Sequence, residues 1–199
     1  MSWNQTSYAS PQISDERVGA FLRSVYGWMC VGLLVTAGVA FAIASSETFI
    51  ETLLLNRVLI WIILIAQLGL VFYLSARVDK VAPTTAVGLF LLYSALVGVT
   101  SSVILLIYTA SSVASTFVIA ASMFGAMAAF GTLTKRSLAG WGQFLFMGLI
   151  GLIVAMIVGF FWQNDALQFV ISIVGVVVFT GLTAWDAQRL KHMAVALPD

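Results

Sequence analysis

The stretch VLIWIILIAQLGLVFYLSA, residues 58–76, decides the fold. It runs from Arg57 to Arg77 without a charge. A bilayer core about 30 Å thick is crossed by a helix of about 20 apolar residues. In lipid, irregular backbone leaves amide groups without partners, so such a run must be helical. Working outward, Ser24–Ser46 forms a similar run between Arg23 and Glu47. Val81–Thr134 is too long for one helix and divides at Tyr108-Thr-Ala-Ser-Ser112, which predicts spans near Thr84–Ile107 and Val113–Leu133. Leu138–Trp162 and Ala166–Trp185 complete a set of six. Pro11, Pro83 and Pro198 lie outside or at the edges of these runs, as uninterrupted helices require.

Composition agrees. Of 199 residues, 61% are hydrophobic and 9% charged, and the mean hydropathy is +1.07. Soluble domains carry about 25% charged residues, so lipid must solvate this surface. The net charge of +1 offers no footprint for nucleic acid. Orientation follows from the basic residues, which concentrate in cytoplasmic connections. Arg17, Arg23, Arg77, Lys80, Lys135, Arg136, Arg189 and Lys191 fall on one side, and Arg57 alone on the other, with Glu47, Glu51 and Asp165. The expected fold is an all-α polytopic membrane bundle of six transmembrane helices with both termini cytoplasmic. Residues 1–20 read as a polar tail, 21–192 as a single transmembrane domain and 193–199 as a short second tail. This topology leaves the Asn4-Gln5-Thr6 sequon on the untranslocated side. No cleavable signal peptide is expected, because the first apolar run is too long for one.

Small residues at four-residue spacing allow membrane helices to approach closely. Such stripes are Gly32, Thr36, Ala40 and Ala44; Ser94, Gly98 and Ser102; Ala121, Gly125 and Ala129; and Gly151, Ala155 and Gly159. They predict one compact bundle, with helix association between chains as another use for a stripe. Cys30 reads as a small buried packing residue.

Catalysis finds little support. An intramembrane serine protease needs a serine near a histidine at membrane depth, and His192, the sole histidine, follows the last run. One Cys and one His do not make a zinc site. No cofactor and no enzymatic activity are expected.

The ionisable residue that stands out is Asp186, directly after Ala166–Trp185. A carboxylate at the edge of a membrane helix marks a functional site by default. Asp186 is expected at the C-terminal end of its helix, where the negative pole of the dipole also disfavours the charge. Two partners are open. Arg77, at the inner end of the second span, is expected at similar depth, and Arg189 lies three residues on. Burial favours the neutral acid and either arginine the carboxylate, so the balance would respond to pH or to a divalent cation. Asp186 alone is not a calcium site, since such sites use about six to eight oxygens.

Phe179-Thr-Gly-Leu-Thr-Ala-Trp-Asp-Ala-Gln-Arg-Leu-Lys191 resembles the signature of the Bax-inhibitor family, in which an aromatic-Asp-x-Gln element closes the sixth helix. Phe21-Leu-Arg-Ser-Val-Tyr-Gly-Trp-Met29 with Gly32-Leu-Leu-Val-Thr36 resembles the start of that family's first helix. Phe117–Lys135 with Ser137-Leu138 resembles its fourth helix and following connection. The resemblance runs from about Arg17 to Lys191 and implies a pH-sensitive calcium leak of the cell inner membrane. It implies that Asp186 is the latch carboxylate and a candidate calcium ligand, with Arg77 interacting with the latch. In the family, the matching aspartate faces a second one on a seventh helix. Here the sequence reads to Asp199 without either, and Ala66-Gln67 stands where some relatives carry a glutamate. The chain is then expected to be a shortened member, a truncated one, or one that takes its partner carboxylate from another subunit as a homo-oligomer. The resemblance also implies a second role, since bacterial relatives are linked to a membrane-bound AAA protease and eukaryotic ones to suppression of cell death. That alternative is a non-conducting regulator that binds another membrane protein through a small-residue face and short cytoplasmic loops. Expected partners are therefore the lipid bilayer, the calcium ion and a second copy or a membrane protease, with no nucleic acid.

Overall fold

The computed structural model of the chain describes residues 11–77, 80–162 and 164–196. Residues 1–10, with the Asn4-Gln5-Thr6 sequon, and residues 197–199, with Pro198, lie outside the described residues. The elements are all α-helical: α1 Pro11–Ala44, α2 Glu47–Leu55, α3 Arg57–Arg77, α4 Pro83–Ile107, α5 Ala110–Leu133, α6 Ala139–Phe161 and α7 Asp165–Ala196. Six of them, α1 from Glu16 onward and α3 to α7, are long and apolar enough to cross a membrane. They match the six runs read from the sequence.

Local chemistry sets the breaks. Pro83 occupies the first turn of α4, where the missing N–H costs nothing. The division expected at Tyr108–Ser112 falls at Tyr108-Thr109. The Thr109 hydroxyl accepts from the Ser112 N–H at 3.3 Å and caps α5. Asn164 caps α7 by accepting from the N–H of Ala166 at 2.9 Å. One break is not a plain loop: residues 47–55 form α2. Counting charges located the acids Glu47 and Glu51 but ignored the helical spacing of Phe49, Ile50 and the residues after them.

Packing divides the chain into two units, residues 24–116 and residues 117–199 with 1–23. In the first, α4 has neighbours on two faces. The stripe Ser94, Gly98 and Ser102 is buried and meets the stripe of α1. A methyl group on Gly98 would stand 2.7 Å from the Thr36 carbonyl oxygen, and one on Gly32 would stand 2.5 Å from the Phe90 ring. The Thr36 hydroxyl donates to the Ser94 carbonyl at 2.9 Å. Toward α3, the Gln67 amide donates to the Leu96 carbonyl at 2.8 Å and to the Thr100 hydroxyl at 3.3 Å. Cys30 is exposed on α1, not buried as expected. It lies two residues from Gly32 and so falls off the packed stripe.

In the second unit, α6 and α7 run antiparallel in a register set by small residues. Gly142 lies against the Trp185 indole, Gly181 against Leu145, Gly148 against Val178 and Gly159 against Ile171. On α5, Ala128 and Gly131 are buried, and Gly131 leaves no room for a methyl group against the Ala184 carbonyl. The expected α5 stripe behaves differently: Ala121, Gly125 and Ala129 are exposed.

The first and last helices outgrow a bilayer. At 1.5 Å per residue, the 34 residues of α1 and the 32 of α7 each extend about 50 Å. Residues 11–20 and 193–196 are helical and belong to α1 and α7.

Gly131 and Gly125 make a matched pair for testing this packing. Gly131→Ala should lower stability by about 1–3 kcal/mol, since backbone must move to admit a methyl group. Gly125→Ala meets open space and should stay within about 0.5 kcal/mol of the parent. Unfolding transitions of the two variants in the same micelles would check this.

Candidate functional site

Asp186 does not close its helix. The helix continues through Ala187-Gln-Arg-Leu-Lys-His-Met-Ala-Val-Ala196, which contains neither glycine nor proline. The dipole effect decays within the last turn, so the unfavourable pole expected beside Asp186 lies further on. The extension persists because it still packs: Ala187 is 2% exposed, Ala194 5% and Gln188 6%.

Gln188 organises the region. Its carbonyl oxygen accepts from the Leu138 N–H at 2.8 Å, and its amide nitrogen donates to the Arg136 carbonyl at 2.8 Å. One side chain thus satisfies a backbone donor and a backbone acceptor in the α5–α6 connection. Three residues on, the Lys191 ammonium donates to the Thr132 carbonyl at 2.8 Å. That carbonyl belongs to the last turn of α5, which has no helical donor left, and a cation there also suits the helix dipole. Ala184, Ala187, Gln188 and Lys191 share one face of α7, and that face is tied to the end of α5 and the start of α6.

Asp186 lies on the opposite side of α7 and is exposed. Arg189 exerts a charge interaction on it. The Arg189 guanidinium also lies over the Trp185 ring, 5.7 Å from its centroid, within cation–π range. Trp185 is itself held against Gly142. The local neighbours of Asp186 are thus fixed by packing. On the packed elements, the nearby cations in sequence are Lys135 and Arg136 of the connection, together with Lys191.

Arg77 ends α3 in the other unit, exposed, with its guanidinium 6.0 Å from the Tyr73 ring centroid. His192 is exposed near the end of α7. Among the described residues, no three His, Cys, Asp or Glu side chains group to hold a metal ion.

The sequence pointed to Asp186, Arg77 and Arg189 but gave Lys191 no role beyond its charge and Gln188 none beyond a motif position. Its signal was available: an amide two residues after the acid, on the face shared with Ala184 and Ala187. Replacing Gln188 by Leu leaves a part-buried N–H and a part-buried carbonyl without their partner. Gln188→Leu should cost about 1–3 kcal/mol and speed amide exchange at Leu138, which hydrogen-exchange mass spectrometry of residues 134–140 would report.

Comparison with known proteins bears on this arrangement. The family model described as "Inhibitor of apoptosis-promoting Bax1" matches residues 18–197. The chain is 49% identical over 186 residues to the inner membrane protein YbhL of Escherichia coli K12, covering 92% of this chain and 80% of that one. It is 42% identical over 179 residues to an uncharacterized protein of Borreliella burgdorferi, covering 90% and 77%. It is 34% identical over 189 residues to the uncharacterized protein YrjE of Lactococcus lactis, covering 91% and 79%. No solved structure matches the chain. A match over nearly the whole chain, together with the relative at 49% identity, places it: the chain belongs to the Bax-inhibitor family.

Proposed function

We propose that this protein is a passive, pH-sensitive calcium leak of the cytoplasmic membrane, with Asp186 as the titrating latch residue and Arg77 as its counter-charge. The observation that carries the reading is the asymmetry of α7 around Asp186. Gln188 and Lys191 are bonded to neighbouring backbone on one face, while the carboxylate is exposed on the other, with Arg189 acting on it. Protonation removes the carboxylate's attraction for either arginine and for a calcium ion, so conduction would follow pH without disturbing the neutral Gln188 bonds. The ion is cargo, and lipid is the solvent of the spans. Placement in the inner membrane with several spans follows the YbhL relative and the six spanning helices. The basic residues favour the cytoplasmic side for Arg77 and Arg189.

A second reading has its own observation. Ala121, Gly125 and Ala129 of α5 are exposed, and Gly125 has open space around it. Such a face suits a second copy or another membrane protein, such as a membrane protease, as expected of a non-conducting regulator.

The two readings separate in the same preparation. Full-length protein in liposomes, assayed from about pH 5 to pH 8, should pass calcium above empty vesicles at a rate that depends on pH. Asp186→Asn should flatten that dependence, and Arg77→Gln should displace its midpoint. Absence of flux at every pH in that window would sink the leak. For the regulator, a photocrosslinker at Gly125 should trap one stoichiometric adduct in native membranes, and an adduct-free result would remove that reading.

A further inference from the structure

We propose that α2 is an in-plane helix seated in the bilayer interface, with its Phe49–Ile50 edge among the lipids and its Glu47–Glu51 edge in water. Three observations carry this.

The first is confinement. Helix α2 is joined to the spanning helix α1 by residues 45–46 and to the spanning helix α3 by Asn56 alone. Both joints are short and hydrogen-bonded. The Ile50 N–H donates to the Ser46 carbonyl at 3.1 Å, and the Asn56 N–H to the Thr52 carbonyl at 3.2 Å. The Asn56 side-chain oxygen then accepts from the Leu59 N–H at 3.2 Å, so the residue that ends α2 also caps α3. A nine-residue helix between two spans, with no slack at either end, cannot leave the membrane surface.

The second is the division of its faces. Glu47, Thr48, Glu51 and Thr52 recur at one- and four-residue spacing along one side, and Phe49 and Ile50 occupy the other. Leu55, at the helix end, is an exception on the polar side. None of the spanning helices separates polar from apolar so strongly.

The third is exposure. Phe49 is 66% exposed although α2 packs on α3, so protein does not cover it. The occupant that continuity supplies is the lipid already solvating α1 and α3. Interfacial helices usually add basic residues that attract anionic headgroups. This one carries two acids and no base, so its seat rests on apolar burial and should not depend on anionic lipid.

The test uses the full chain with Cys30→Ser, in phosphatidylcholine nanodiscs open on both faces. Glu47→Cys and Glu51→Cys should react with a membrane-impermeant maleimide about tenfold faster than Phe49→Cys and Ile50→Cys. A fluorophore at Phe49→Cys should be quenched by lipids spin-labelled near the headgroup more than by lipids labelled deep in the chain. The quenching should persist when half the lipid is phosphatidylglycerol. Equal reactivity at all four positions would overturn the proposal. So would protection at Phe49→Cys without lipid quenching, which would mean that protein covers the face, or quenching that requires anionic lipid. If Phe49→Cys does not fold, a fluorophore at Ile50→Cys, a half-buried position on the same edge, carries the lipid-quenching readings.

Discussion

In hydrocarbon an apolar side chain gains nothing by turning toward another helix, so cohesion depends on how closely backbones approach and where polar groups find partners. The distribution of side chains obeys that constraint. Leu34, Phe72 and Phe144 are 72%, 71% and 68% exposed, while Ser102 is wholly buried and Ala184 and Ala187 nearly so. A soluble protein of this composition would be inside out. The stripes of α1 and α4 meet because Gly32 and Gly98 let large neighbours or a carbonyl take the place of a side chain. Dispersion over those close contacts then acts where the hydrophobic effect cannot.

The same constraint explains why amides and hydroxyls carry so much of the specificity. Gln67 fixes α3 against α4, and Gln188 fixes α7 against the α5–α6 connection. Both pair with backbone carbonyls, which are available at every residue. The hydroxyls of Thr132 and Thr183 instead return to their own helices. A long, flexible amide reaches across a gap that a short hydroxyl spans only at close approach, as Thr36 does beside Gly98.

Much of this was legible in the sequence, and the gaps have physical reasons. Spans were readable because a charge-free run of bilayer length has few other uses. Stripes marked faces that are able to approach, but which of them does so depends on the partner. Ser94, Gly98 and Ser102 found one, whereas α5 packs through Ala128 and Gly131 and leaves Gly125 open. Cys30 was misplaced for the same reason, lying two residues from Gly32 and off the stripe's face. Helix α2 escaped because charge counting is blind to period. The dipole argument for Asp186 failed because a hydrophobic run measures lipid and not helix. The residues after Trp185 remain strong helix formers, and with Ala187 and Ala194 buried they have a surface to pack against.

That last correction changes what the carboxylate can do. At a helix terminus, Asp186 would have been strained by the backbone itself, and losing its charge would have relieved the terminus. Within a continuous helix its energetics are set by side chains and solvent. The bonds that hold α7 in place come from a neutral amide and from a lysine ammonium on a carbonyl, neither of which needs a carboxylate. On the proposed reading, adding a proton to Asp186 leaves the Gln188 and Lys191 bonds in place and alters what the opposite face attracts. The proposed latch requires that separation: one side that stays fixed, and another whose charge can change without loosening the fold that presents it.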